Sequence, residues 1–413
     1  MNRRSVRSIG FTASATALGV LTMITAERAA NAAPPVCSSL PNVLTVESGD
    51  TQEPLLKSLG AKMVVSAAMP ITLVYNTTGS CTLVNDITTG TKLTVALKYI
   101  PLPNDPNAVG WDPTKPSPTC TTDVGGNAID VAISALFVSS CTQTPLPAGL
   151  GAIEGPVQAY TWVVPKASAQ KSTTAEEMYF TFGFGNVGQV TPWNDETFMS
   201  IRPVTKSTLL TLAAAINVPA AKWKGTPFDK STDLLNAVAN AASADKAIGI
   251  LGGEISDANR DKVTVLAYQA YKQKHGYWPD STSTSFDKRN LRDGHYLPWS
   301  PTVYLTAVDA QSVPTNAKAK YMIDLVLGNP TTPPFESEGL DVVVAKGLIP
   351  DCAMKVKRGF DGGDLSLYSP PAACGCYYES KVPQGAAPAS CTACSTTTPC
   401  ATGTCRHGYC EVP

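Results

Sequence analysis

Short apolar runs, each closed by glycine, proline or a Ser/Thr/Asn cluster, dominate the chain beyond residue 40. Residues 43–47 read as a buried strand, followed by Ser48-Gly49-Asp50-Thr51 and a helical stretch over 52–61. Residues 71–75 (ITLVY) predict a second strand, ended by Asn76-Thr77-Thr78-Gly79-Ser80-Cys81, and 129–134 (IDVAIS) a third. The Pro- and Asp-rich stretch 101–119 reads as loop, and 155–165 (GPVQAYTWVVP) as a long extended segment. Helical patterning marks 175–183, 207–216 (STLLTLAAAI), 231–243 and 316–328. Strands are predicted at 197–202 (TFMSIR), 247–252, 300–308 (SPTVYLTAV) and 340–345 (LDVVVA). The clearest helix is predicted over 257–274, where Val263, Leu266, Ala267, Ala270 and Tyr271 fall at helical spacing behind Ser256 or Asp257 as N-cap. A polar loop covers 279–296.

Strands alternating with helices predict an open α/β sheet. The order gives a first lobe over 33–154, an inserted second lobe over 155–300 and a return to the first over 301–368. The segments 155–165 and 300–308 would cross between the lobes as a hinge. From about Ser369 large aliphatics thin out and seven cysteines fall within 374–410. Residues 369–413 are therefore expected to be a small disulfide-stapled module.

The N-terminus, with Arg3, Arg4 and Arg7, an apolar run from Ile9 to about Ala26 and Ala30-Asn31-Ala32, reads as a secretory signal peptide over 1–32. No later stretch is apolar enough to span a membrane, so a soluble protein of the periplasm or cell surface is expected. All 12 cysteines lie beyond residue 32, and their even number in an oxidising compartment predicts disulfides. In that setting Cys374-Gly-Cys376 and Cys391-Thr-Ala-Cys394 read as disulfide partners, not zinc ligands.

Lys+Arg number 32 and Asp+Glu 33 in 413 residues. Removing 1–32 takes away four arginines and one glutamate, leaving 28 basic and 32 acidic side chains. That balance offers nothing to neutralise a nucleic acid, so no nucleic-acid partner is expected. Gly183-Phe-Gly185-Asn-Val-Gly188 spells GxGxxG, but a helix precedes it and Pro192 follows, so it reads as a glycine-rich loop. No GxSxG or HExxH motif is present, and none of the three histidines has a base-plus-acid context; no enzyme activity and no cofactor are expected.

One constellation carries chemistry. A strand delivers Arg202, a turn follows, and a helix starts at Ser207-Thr208. Unpaired amides at a helix start, two hydroxyls and a guanidinium fork suit a small oxyanion. The alternative is an ordinary serine cap beside a surface arginine. Two further strand ends, Ser48-Gly49-Asp50-Thr51 and Thr78-Gly79-Ser80, are placed to meet it, because ligands of open α/β sheets collect beyond the carboxyl ends of strands.

This layout resembles the phosphate-binding proteins of ABC transporters, a group of type II periplasmic binding proteins. The resemblance spans about 43–350 and rests on Ser48-Gly49-Asp50-Thr51, Tyr75-Asn-Thr-Thr-Gly79-Ser80, Asp130-Val-Ala-Ile-Ser134, Ile201-Arg202 with Lys206-Ser207-Thr208, and Ile248-Gly249-Ile250. It implies a two-lobed α/β fold, a phosphate-like anion held between the lobes by Thr51, Gly79, Ser80, Ser134, Arg202, Ser207 and Thr208, and delivery to an ABC permease by a monomer. The chain departs from the pattern in two places. Thr205-Lys206-Ser207-Thr208 replaces Gly-Ser-Gly-Thr, and Ser134-Ala135 replaces a Ser-Asp pair whose carboxylate accepts the phosphate proton. The other expectation is an orphan extracellular protein that keeps the fold for surface display or adhesion.

Overall fold

Leu44 and Val46 alternate with Thr45 and Glu47, and this period of two builds β1 (Val43–Gly49). The computed structural model describes residues 33–67, 69–335 and 339–412; the signal peptide expected over 1–32 lies outside them. Pro54 in its first turn starts α1 (Glu53–Met63), which lays Leu55, Leu56 and Leu59 over Leu44 and Val46. β2 (Thr72–Thr78) runs parallel to β1, and α2 (Ser80–Thr89) follows it directly. Gly90 ends α2 in the left-handed region (φ 69°), where its N–H reaches Asp86 O and Ile87 O. Two short antiparallel strands, β3 (Leu97–Tyr99) and β4 (Thr119–Cys120), form the edge, and β5 (Val131–Ser134) lies parallel to β1 on its other side.

The chain then crosses in β6 (Leu150–Pro165), a strand of 16 residues buried from Gly155 onward. The second lobe holds β7 (Ser172–Thr174), α3 (Ala175–Phe184), β8 (Met199–Ile201), α4 (Ser207–Ile216), β9 (Thr226–Pro227) and α5 (Ser231–Ala239). It continues through β10 (Ile248–Gly252), α6 (Gly253–Ala258), β11 (Val263–Val265), β12 (Ala267–Gln269) and α7 (Arg289–Arg292). β13 (Trp299–Ala307) returns to the first lobe, where α8 (Ala317–Leu327) and α9 (Gly339–Ala345) complete the layer over β1. One sheet runs in the order β4-β3-β2-β1-β5-β13-β6-β10-β8-β9, with β11 against β6. β6 and β13 pair antiparallel at the centre, so the two expected crossing segments are a single ribbon joining a mainly parallel half-sheet on each side. This is the two-lobed α/β fold expected from the sequence.

Two expected elements are corrected. The helix expected over 257–274 ends at Ala258, and β11 and β12 take its place. Val263-Thr264-Val265 is β-branched throughout, and the edge of β6 offers partners, with Thr264 opposite Val164. The strand expected over 340–345 is α9, because Val342, Val343 and Val344 are all buried between neighbours and a short apolar run does not reveal its own period. The polar loop over 279–296 is anchored by Lys288, whose buried ammonium lies 2.6 Å from Asp257 Oδ2 and 2.8 Å from Asp280 Oδ1.

Six disulfides pair Cys37–Cys120, Cys81–Cys141, Cys352–Cys374, Cys376–Cys391, Cys394–Cys405 and Cys400–Cys410. The cysteine-rich segment docks on the second lobe's core. α10 (Gly375–Lys381) buries Tyr377 and Tyr378 there, and the Glu411 carboxylate accepts from Cys376 N (3.0 Å) and Tyr377 N (2.8 Å) at the start of that helix.

Candidate functional site

The strand ends do converge. Gly49 ends β1, and Asp50–Gln52 form a single 3₁₀ turn before α1. Gly79 leads from β2 into α2, Ser134 ends β5, and from the second lobe Ile201 ends β8 and passes to Arg202 and then to α4. Of the residues expected at the site, Thr51, Ser80, Ser134, Arg202, Ser207 and Thr208 are buried.

Their engagements differ. A Cβ built on Gly49 would meet the Ser80 and Thr51 hydroxyls at 3.6 and 3.7 Å, so both hydroxyls flank one point. Ser80 Oγ accepts from Ala135 N (3.1 Å), whereas Thr51 Oγ1 is buried with no hydrogen-bond partner among the described residues. Ser134 turns back on its own loop, donating to Leu136 O (3.0 Å) and accepting from Leu136 N (3.1 Å). Ser207 and Thr208 open α4, where Lys206, the residue at the N-cap, makes no side-chain cap. Tyr160, on β6, donates to Ala135 O (2.6 Å) and reaches the Ser207 hydroxyl.

Gly79 is needed for close approach. A Cβ there would lie 2.7 Å from Thr205 O and 2.8 Å from Thr205 Oγ1. The turn before α4 thus sits on the start of α2, and Cys81 N donates to Thr205 O (3.3 Å). Gly79→Ala should therefore force the two lobes apart locally and cost about 1–3 kcal/mol, read from a urea unfolding curve. Wild-type stability in that variant would mean that the turn yields freely.

The guanidinium of Arg202 is 1% exposed, and its fork is taken by protein groups. Nη1 donates to Ser231 Oγ (2.6 Å), and Nη2 to Asp50 Oδ2 (2.6 Å) and Asp229 O (2.8 Å). Nε is buried with no partner among the described residues. Lys206 Nζ stands 3.7 Å from Asp50 Oδ1 and 3.3 Å from Asp229 Oδ1. Asp50, Asp229 and Ser231 were missing from the residues expected here. Asp50 was visible in the Ser-Gly-Asp-Thr turn, but its partner is 152 positions away, and no local pattern marks that pairing.

Two acids border this region, Glu254 buried and Asp361 half-buried. Gln52 Nε2 donates to Gln158 Oε1 (2.5 Å), and Gln158 Nε2 to Glu254 Oε2 (2.7 Å). Burial pushes the Glu254 carboxyl up to about 8; Asp50 and Asp257 add to this, while its own backbone N–H and Arg202 oppose it. The loop after β5, where Ala135 supplies no carboxylate, receives one from the far end of the chain. Asp361 Oδ2 accepts from Phe137 N (3.2 Å) and from Ser140 Oγ, and burial raises its pKa.

No protein-family profile matches the chain, and no curated protein matches it in sequence. Solved structures do match in fold. A candidate phosphate ABC transporter substrate-binding protein of Clostridium perfringens, with phosphate bound, is 13% identical over 75% of this chain and 99% of its own, at a TM-score of 0.49. An ABC-type phosphate transport receptor of Vibrio cholerae is 13% identical over 74% and 99%, at a TM-score of 0.45. The regulatory domain of OxyR2 from Vibrio vulnificus, in reduced form, is 10% identical over 68% and 93%, at a TM-score of 0.36. The likeness ends at the fold, and the fold stands on the sheet order and central ribbon described above.

Proposed function

We propose that this protein is an exported, monomeric solute-binding protein that holds a small oxyanion of the phosphate type between its lobes and presents it to an ABC permease. The observation that carries this reading is the pairing of Thr51 Oγ1 and Arg202 Nε. Both are buried and have no hydrogen-bond partner among the described residues; the Thr51 hydroxyl stands with that of Ser80, the first residue of α2, beside Gly49, and Arg202 precedes the turn into α4 and bonds Ser231, the first residue of α5. Buried donors without partners are costly, and an anion at helix starts is the group that would satisfy them. Thr51, Gly79, Ser80, Ser207 and Thr208 would surround it, with Arg202 supplying charge. Ser134, turned to its own loop, would act by shaping that loop. Capture would proceed by closure about the β6–β13 ribbon.

Titration calorimetry with phosphate and with sulfate tests this. One-to-one binding of either is expected, weakened about tenfold by Thr51→Val, which removes the hydroxyl and keeps the shape. Absence of heat with both anions across neutral pH would end the oxyanion reading. The second reading, an extracellular display or adhesion protein, is favoured by one feature: the disulfide-rich segment is built into the second lobe's core and enlarges the body beyond a simple two-lobed binder.

A further inference from the structure

We infer that Asp50 is a tethered counter-anion that occupies the cationic wall of the cleft and latches the lobes shut, so that a free oxyanion is admitted by displacing it. Asp50 belongs to the first lobe, in the turn after β1, while Arg202, Lys206 and Ser231 belong to the second. Its carboxylate collects what an anion site supplies. It takes the Arg202 Nη2 hydrogen bond at 2.6 Å and the Ser231 hydroxyl at 3.2 Å, with the Lys206 ammonium at 3.7 Å. Ser231 opens α5, a nine-residue helix, so the carboxylate also stands at a helix start. Arg202 is almost wholly enclosed while Asp50 keeps a fifth of its side chain exposed. The acid is thus the member of the pair with a way out.

The exchange is mutual. The first lobe fills the second's cation with the Asp50 carboxylate, and the second fills the first's helix start with the Thr205 carbonyl, which accepts from Cys81 N. Both attractors that would draw in an anion are engaged by the chain itself. A ligand that holds Arg202 must therefore compete with a carboxylate already in place, and its apparent affinity is lowered by the fraction of molecules in which the latch is closed. The Lys206–Asp229 contact does not replace this latch, because Asp229 is 79% exposed and comes from the same lobe as Lys206.

This inference leans on the oxyanion reading only for what is kept out; the latch itself does not need a ligand. The test uses the full exported chain with disulfides intact, comparing wild type, Asp50→Asn and Asp50→Glu. Small-angle scattering and amide exchange are recorded without ligand, then calorimetry with inorganic phosphate and with sulfate. Asp50→Asn should increase the radius of gyration and speed exchange at Cys81. Asp50→Glu, which keeps the charge, should restore both towards wild type. Phosphate should bind Asp50→Asn about tenfold more tightly than wild type. If Asp50→Asn does not fold, Lys206→Gln, which thins the same cationic wall, should shift exchange at Cys81 in the same direction. Scattering and exchange identical to wild type in the variant that folds would overturn the latch. An opened Asp50→Asn with no heat from either anion leaves the latch standing and removes the oxyanion reading. An Asp50→Asn that stays closed beside a wild type that binds phosphate does the reverse.

Discussion

Arg202→Ala is expected to abolish detectable anion binding, a loss of roughly a hundredfold or more, and to destabilise the fold at the same time. The two effects have separate origins. On the proposed reading, the binding loss follows from removal of Nε, the buried guanidinium atom that has no partner among the described residues. The stability loss follows from the other two nitrogens, which together hold Ser231 Oγ, Asp50 Oδ2 and Asp229 O. Removing one member of a buried ion pair costs about 3–5 kcal/mol because the partner's charge is left without compensation. Asp50 is a fifth exposed and can turn to water, so the lower end, about 3 kcal/mol, applies. Arg202→Lys should recover part of the stability and little of the binding, because an ammonium cannot reach three acceptors and keep a donor free. Calorimetry with phosphate and a denaturant melt on the same samples separate the two. Full phosphate affinity in Arg202→Ala would move the site elsewhere, and an unchanged melt would mean that the Asp50–Arg202 contact adds nothing to the fold.

What could be read from the sequence was local. Ser207–Ile216 is a helix in both readings, because Leu209, Leu212, Ala213 and Ile216 repeat at helical spacing and Ser207 opens it. β1, β2 and β5 were legible from short apolar runs closed by turn residues, and the crossing strands from the long apolar and β-branched stretches after Pro156 and Pro301. The pattern over 257–274 misled because Val263, Leu266 and Ala270 satisfy a helical period and a strand's burial equally, and the free edge of β6 decided between them. At the site, the groups that meet were legible and their use was not. Arg202 could be named from its strand end, yet the acid that holds it comes from the first lobe. The carboxylate beside the loop after β5 lies 224 positions from Phe137, in a segment whose Arg358-Gly-Phe-Asp-Gly-Gly pattern reads as a turn. Pairings of this kind are set by how two lobes close, and no spacing within one lobe encodes them.

Stability should fall as the pH rises from about 4.5 to about 8, opposite to the behaviour of a protein held by ionised surface pairs. Glu254 and Glu47 carry this dependence. Burial raises Glu47 to about 7, against the Asn76 hydrogen bond that favours its ionised form, and raises Glu254 to about 8. Each binds its proton more tightly folded than unfolded, so the folded state retains protons that the unfolded state has released. The stabilisation is complete below the unfolded value of 4.5 and is lost as the pH climbs through the folded value. For Glu254 that span amounts to about 4–5 kcal/mol, at 1.36 kcal/mol for each pH unit. Glu254→Gln should remove this share of the slope and leave the protein more stable than wild type at pH 9, since an amide keeps the Gln158 contact without a charge to bury. The same titration reaches the cleft. Below pH 8 the Glu254 carboxyl is neutral and adds no charge beside Asp50 and Arg202, whereas its ionisation sets a second carboxylate against any anion held there. Phosphate affinity should therefore drop above pH 8 in wild type and stay level in Glu254→Gln. Parallel pH profiles of affinity in the two proteins would show that Glu254 acts on the fold and not on the cleft.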